Sequence, residues 1–339
     1  MKAGLIGYPG SGRDTVFRAL TGLPTVLGPN EQRLGEAVLR DPRLDYLSGV
    51  FKPKKHTPAK VGIQLARPQA QNPVESLRLS LDRVRDADVL LMVLRGFDSP
   101  GMDKPDPAKE AASLEGELIV GDYVIAEKRL ERIAEDRKRG KKGDPVELEL
   151  LNLAKSVLEG NYPLRGEPKV ASSPALRGFG FASAKPLLLI VNEPEEGGGC
   201  KDPGASVPSM RLKGSIEAEI ARLDPLEAKE FLGDYGLAEP GSDRVVAAIH
   251  GLMDLISFFT VGEDECRAWT IKKGEDALSA AGRIHSDIKK GFIRAEVVAY
   301  DDFKATGGFN EAKKQGLFRL EGKTYVVKDG DIVHFRFNV

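Results

Sequence analysis

The residues best suited to chemistry lie at the start of the chain. Gly7-Tyr8-Pro9-Gly10-Ser11-Gly12-Arg13-Asp14-Thr15 follows the frame of a phosphate loop, G-x-x-x-x-G-K-[ST]. In that frame backbone N–H groups cradle phosphate oxygens, the lysine reaches the β/γ oxygens and the hydroxyl binds Mg2+. The glycines are in register, but Arg13 stands for the lysine and Asp14 for the hydroxyl. Arg13 keeps the charge on a bulky planar fork that does not substitute for a compact ammonium. Asp14 brings a carboxylate beside the β-phosphate, and without a cation between them the two repel. Two readings stay open: a loop that still binds nucleotide, with Asp14 or Thr15 taking over the Mg2+ contact, and a bare strand-to-helix turn. Farther on, Arg137-Lys138-Arg139-Gly140-Lys141-Lys142 suits the phosphate backbone of a nucleic acid, with a solvated helix end as the alternative.

The elements around these residues indicate how they are held. The loop follows the apolar run Ala3–Ile6 and precedes a helix start at Asp14, the opening of an α/β nucleotide-binding fold. Val89–Leu94 and Pro186–Val191 are short apolar runs that fit buried parallel strands of a doubly wound sheet. Between them, residues 107–160 are charged and helix-favouring, broken at Gly140–Pro145. Val146, Leu150, Leu153 and Val157 recur at spacings of four and three, one apolar stripe of a helix. Leu114, Leu118, Ile125, Leu130 and Ile133 give a looser stripe before the break, so an antiparallel hairpin is expected, with two ordinary covering helices as the alternative. Residues 193–209 read as a loop and 215–250 as helical. From Ser257 the texture turns β-rich, with strands expected at Cys266–Ile271, Phe292–Val298, Thr324–Val327 and Ile332–Val339 and one helix over Ala277–Lys290. That arrangement is β-grasp-like. Trp269 falls in an alternating strand and reads as core, and no internal repeat is present.

Composition narrows the class. The 339 residues suggest two or three domains, and 41% apolar with 30% charged residues is an ordinary globular balance. With 50 basic and 51 acidic side chains, bulk charge gives no reason to expect nucleic-acid or membrane binding. The segment 255–339 is balanced as well and carries no basic footprint of its own. Two cysteines, Cys200 and Cys266, are too few for a disulfide framework or a multi-cysteine zinc site. No run of about 18 apolar residues exists and the first residues break into glycines, so the expectation is a cytoplasmic protein without a membrane or disulfide partner.

A long set of motifs sharpens this. Phe258-Phe-Thr260, Arg267–Ile271, Ile284–Asp287, Lys290–Val297, Glu321–Lys323, Asp329–Asp331 and Phe335–Val339 closely resemble the end of the YchF / Obg-like ATPase family. The resemblance continues upstream through Pro29-Asn30, Asp41–Asp45, Lys52-Pro53 and Ala184–Asn192 and is weakest over residues 54–80 and 97–110. It implies a P-loop GTPase-like, mostly parallel sheet flanked by helices, an inserted antiparallel helical hairpin (coiled coil) and a C-terminal ubiquitin-like β-grasp (TGS) domain. The implied division is 1–106 with 175–254 for the nucleotide domain, 107–174 for the insert and 255–339 for TGS.

The resemblance also implies roles. The family reads the purine with N-x-x-E in place of the guanine-selecting N-K-x-D, and Asn192-Glu193-Pro194-Glu195 keeps that form. Asn192 and Glu195 then join Gly7, Pro9, Gly10, Ser11, Gly12, Arg13, Asp14 and Thr15 around GTP or ATP, with Asp14 and Thr15 as the Mg2+ candidates. Ribosome or RNA contact would run through the hairpin tip (Arg137, Lys138, Arg139, Lys141, Lys142) and the TGS domain. Other motifs depart from the family. Gln64 takes the Asp place and Arg67 the Gly place of D-x-x-G, switch I between Thr21 and Pro29 is shortened, and Lys213-Gly214-Ser215 stands for the third base loop. A family histidine has no counterpart between Gly96 and Asp106, the four histidines being at 56, 250, 285 and 334. Phosphoryl transfer needs a metal, a positioned water and charge neutralisation at the γ-phosphate, and each of those positions is altered. The expectation is a divergent, translation-associated purine-nucleotide protein with weak or no hydrolysis; the alternative is a pseudo-NTPase scaffold that binds no nucleotide.

Overall fold

A computed structural model of the chain describes residues 1–25, 31–66, 72–196, 200–204 and 206–338. In chain order its elements are β1 (Lys2–Ile6), α1 (Arg13–Thr21), β2 (Gln32–Leu39), α2 (Pro42–Phe51), β3 (Lys55–Thr57), β4 (Ala59–Ala66), α3 (Pro73–Arg83), β5 (Val89–Arg95), α4 (Pro107–Lys138), α5 (Pro145–Glu159), α6 (Pro168–Ala171), β6 (Leu187–Asn192) and β7 (Ser209–Leu212). There follow α7 (Gly214–Ile220), α8 (Pro225–Asp234), α9 (Gly241–Leu252), β8 (Leu255–Thr260), β9 (Glu265–Lys272), α10 (Ala277–Ile284), α11 (Ser286–Lys290), β10 (Phe292–Ala299), α12 (Tyr300–Thr306), α13 (Phe309–Lys314), β11 (Arg319–Glu321) and β12 (Asp331–Phe337). The fold is α/β, as expected. It divides into two compact units, residues 1–37 with 61–245 and residues 38–60 with 246–339.

The first unit is built on a six-stranded sheet of order β2-β4-β1-β5-β6-β7. β1 pairs parallel with β4 and β5, and β6 pairs parallel with β5 and β7. β5 and β6 are buried at every residue, which is why they read as unbroken apolar runs. β2 and β7 sit at the sheet edges with half-exposed patterns, and the sequence reading missed β7. The helical pair α4 and α5 clusters with this unit, tied by Arg129 to Glu147 at 2.7 Å and Lys155 to Glu127 at 3.2 Å. Its packing corrects the expected stripe. Leu151, Ala154 and Leu158 are the buried residues of α5, whereas Val146 is 55% exposed and Leu150, Leu153 and Val157 only flank the contact. A one-residue offset turns a helix face by about 100°, which a four-three spacing alone does not fix. On α4, Asp122 is buried and accepts from the Ala182 and Ser183 N–H groups and the Ser183 hydroxyl, fastening the chain that enters β6. Burial pushes its carboxyl above the ordinary range against those three donors.

The second unit carries a six-stranded sheet of order β11-β10-β12-β8-β9-β3, with α10 packed on its core. Residues 38–60 and 246–254, expected in the nucleotide domain, cluster with this unit. β3 pairs parallel with β9 from Lys55↔Glu265 to Thr57↔Arg267, and Leu44 and Leu47 of α2 enter a core with Phe259 and Phe303. A three-residue strand has no period to detect. Thr324–Val327 is not a strand; it contributes one isolated bridge, Val326 to Asp276. Trp269 is half-buried and packs against this core, stacked on Phe258 with Arg267 3.9 Å over its ring and its indole N–H on Thr260.

Candidate nucleotide site

The glycine loop leaves the C-terminal end of β1 and enters α1 with Gly10 and Gly12 both at φ +87°, a backbone that residues with a side chain rarely adopt. Gly12 is the N-cap of α1 and lacks a side-chain cap, so the first N–H groups of the helix have no intrahelical partner. Ser11 Oγ is buried beside Gly7 and, among the described residues, has no hydrogen-bond partner. These features fit phosphate: a glycine loop and a buried hydroxyl meet the positive end of a helix.

Asn192, at the end of β6, ties the loop to the rest of the site. It is 4% exposed, and its Nδ2 donates to the Ser11 carbonyl at 3.1 Å. A Cβ on Gly12 would lie 2.0 Å from that Nδ2, and a Cβ on Gly214, the first residue of α7, would lie 2.3 Å from Asn192 Oδ1. The next neighbour of Gly214 is Thr15 of α1. The glycine loop, the β6 end and the Lys213-Gly214-Ser215 turn therefore converge on one side chain. The segment after β5 closes the outer side: Met102 Sδ is 3.3 Å from the Cβ position of Gly10, and a Phe97 ring atom is 3.7 Å from that of Gly12. Arg95, level with Asn192 in the β5–β6 pairing, holds this segment by donating to the Phe97 and Asp103 carbonyls at 2.9 and 2.6 Å. Its own N–H donates to Glu110, whose carboxyl is raised by burial against the Arg95 N–H and charge. None of Phe97, Met102 or Arg95 was singled out from sequence, because nothing in their spacing marks them.

The remaining expected residues are placed less centrally. Arg13 is buried, passes Gly7 and donates to Ser80 of α3 at 3.0 Å. Asp14 lies in the first turn of α1, and Thr15 Oγ1 accepts from Arg18 at 3.4 Å. Tyr8, between Gly7 and Pro9, shares a 2.9 Å hydroxyl contact with Ser113 of α4. Glu195 Oε1 accepts from the Tyr235 hydroxyl at 3.1 Å, and Glu193 pairs with Arg211. Gln64 is level with Gly4, three residues before the loop begins, and its amide donates to Asp86. Arg67 and the switch I residues 26–30 lie outside the described residues. All four histidines belong to the second unit, leaving the first without an imidazole base. Among the described residues no group of three or more His, Cys, Asp or Glu is placed to hold a metal ion, and no helix is long and apolar enough to cross a membrane. At the hairpin tip Lys141 pairs with Asp136 at 2.9 Å and Arg139 with Glu135 at 3.9 Å, while Arg137, Lys138 and Lys142 make no ion pair among the described residues.

Comparison with known proteins agrees with this architecture. Residues 255–338 match the family model YchF-GTPase_C, described as a protein of unknown function (DUF933). The "Ribosome-binding ATPase YchF" of Haemophilus influenzae is 35% identical over 367 residues, spanning 100% of this chain and 99% of the relative. That of Bacillus subtilis is 34% identical across 100% of both chains, and the "Obg-like ATPase 1" of Oryza sativa is 30% identical, across 100% of this chain and 92% of its own. Among solved structures, the YchF GTPase of Schizosaccharomyces pombe superposes with a TM-score of 0.81 at 25% identity, covering 99% of this chain and 97% of that one. A GTP binding protein from Pyrococcus horikoshii shares the fold at a TM-score of 0.61 and 17% identity, with 100% of both chains covered. With relatives 30–35% identical along its whole length, the chain belongs to the YchF / Obg-like ATPase family.

Proposed function

We propose that this protein is a ribosome-associated, cytoplasmic purine-nucleotide-binding regulator that holds ATP or GTP at residues 7–15 and turns it over weakly or not at all. The observation that carries the reading is the convergence on Asn192: the purine-motif side chain is bonded to the phosphate loop itself, at 3.1 Å. The names of the relatives, ribosome-binding ATPases, support the partner and the ligand. In this reading the α1 N–H groups and Ser11 hold the phosphates, Glu195 faces the purine, and Asp14 or Thr15 holds Mg2+ beside them. Mg2+ would offset the repulsion between Asp14 and the phosphate oxygens, so binding should be tighter with Mg2+ than without it. Weak hydrolysis is the expectation because Arg13 is turned to Ser80, a glutamine stands for the motif's Asp, and the first unit contains no histidine. The hairpin tip, where Arg137, Lys138 and Lys142 are unpaired among the described residues, and the TGS domain would meet the ribosome.

Calorimetric titration with ATP and GTP, with and without Mg2+, tests the ligand. Micromolar binding of either supports it, and binding that is strengthened by Mg2+ points to Asp14 as the charge that the cation offsets. The Arg13–Ser80 bond favours a second reading, an interaction scaffold on a vestigial loop; absence of binding to either nucleotide selects it. Co-sedimentation with ribosomes tests the partner, and charge reversal at Arg137, Lys138 and Lys142 is expected to weaken it and flatten its salt dependence.

A further inference from the structure

We infer that Tyr235 sets the purine preference of the site by occupying one oxygen of Glu195, which favours adenine over guanine. The inference rests on the purine reading above and adds a residue that the reading does not use. Tyr235 is the C-cap residue of α8, and its hydroxyl donates to Glu195 Oε1 at 3.1 Å. Its ring stacks on Phe231, one turn earlier, with centroids 6.5 Å apart and planes at 28°, so the phenol is aimed by its own helix. The hydrogen bond to Glu195, and then the Glu195 charge, raise the phenol pKa above its ordinary value. The proton therefore stays on Tyr235 at neutral pH and the hydroxyl remains the donor.

The chemistry follows from what each partner can offer. An ionised carboxylate only accepts. Guanine presents N1–H and N2–H2 side by side and is gripped by two parallel acceptor oxygens. Adenine presents a single exocyclic N6 amine next to an acceptor, N1. With one lone pair of Oε1 taken by the phenol, Oε2 is the stronger acceptor that Glu195 keeps: enough for one amine, weaker in a paired grip. Tyr235 is a positioning residue, acting through Glu195. The substitution that tests it is mild. α8 has no buried residue, and phenylalanine keeps the ring stacked on Phe231.

The experiment is calorimetric titration of the full-length protein with ATP and with GTP, for the wild type, Tyr235→Phe, Glu195→Gln and the double variant. The wild type is expected to bind ATP more tightly. Tyr235→Phe is expected to move the ratio of the two Kd values toward GTP by about ten- to a hundredfold, the worth of one hydrogen bond to a charged group. On the Glu195→Gln background the same substitution should leave the ratio where it was. A wild-type preference for GTP, a ratio unmoved by Tyr235→Phe while both nucleotides still bind, or an equal movement without the Glu195 carboxylate would each overturn the inference and leave nucleotide binding standing. Failure of the wild type to bind either nucleotide would overturn both together.

Discussion

Replacing Gly214 by alanine should change sign with the identity of residue 192. Gly214 opens α7 and is not among the positive-φ glycines, so its backbone accepts alanine without strain. Alone, glycine to alanine at such a position stabilises by about 0.5–1 kcal/mol. Here the new Cβ would lie 2.3 Å from Asn192 Oδ1 and 3.2 Å from its Cγ, so the amide must rotate away. Rotation breaks the 3.1 Å bond to the buried Ser11 carbonyl, about 1–3 kcal/mol, and leaves Asn192 off its rotamer, about 0.5–1.5 kcal/mol. The balance is a net loss of about 0.5–4 kcal/mol. In an Asn192→Ala background the next neighbour is Thr15 Cγ2 at 3.4 Å, an ordinary contact, and Gly214→Ala should become neutral or stabilising. The single tryptophan, Trp269, lies in the second unit, so its fluorescence does not report on this site. Hydrogen exchange of peptides covering β6, β7 and α7 does. Equal destabilisation by Gly214→Ala in both backgrounds, within about 0.5 kcal/mol, would refute the reasoning.

Three further outcomes follow from the same geometry. Asp122→Ala leaves a buried and a part-buried N–H group and a buried hydroxyl without an acceptor, and is expected to cost about 3–5 kcal/mol, seen as faster exchange and proteolysis around residues 180–186. Asp329 is pushed up by burial but pulled further down by Arg43, at 2.7 Å, and by the Ser257 N–H, so its folded pKa lies below the ordinary 3.8. A carboxyl lowered on folding adds stability above pH 3.8 that is lost as pH falls through the lowered value. Asp329→Asn should therefore lower stability at pH 6 and flatten the loss between pH 5 and pH 3, read by Trp269 fluorescence in urea; an unchanged acid limb would remove Asp329 from the account. Arg13→Lys with Asp14→Ser restores the compact ammonium and the hydroxyl of the phosphate-loop frame, and is expected to tighten ATP binding in Mg2+ by tenfold or more in calorimetry.

Much of the architecture was legible because its signals are local. The buried strands β5 and β6 announce themselves as apolar runs, and the glycine loop sits between an apolar run and a helix start. What stayed hidden depends on tertiary pairing. β3 has three residues and exists because β9 offers it an edge, which also moves residues 38–60 into the second unit. The α5 stripe was misread by one residue because several spacings of four and three coexist on that helix. The resemblance puts Gln64 in the motif's Asp position; that its side chain turns to Asp86 is a tertiary contact no spacing encodes. At the site, Asn192 was legible from its motif, whereas Phe97 and Met102 reach it through the segment after β5, whose course no periodicity encodes.

The two surviving readings of the loop make different demands on particular residues. Gly12 and Gly214 are explained without any nucleotide, since Asn192 leaves neither room for a Cβ. Their presence therefore does not discriminate a working site from a vestigial one. Gly10 is different. It faces only Met102, whose flexible side chain can yield at 3.3 Å, yet it holds φ +87°, a conformation that costs an alanine about 1–2 kcal/mol. A vestigial turn could relax Gly10 to an ordinary backbone with no loss of packing. A phosphate cradle could not, because that φ turns successive N–H groups toward one point. Gly10→Ala separates the cases: loss of nucleotide binding beyond the 1–2 kcal/mol stability cost supports the cradle, and a stability cost with nothing else supports the scaffold.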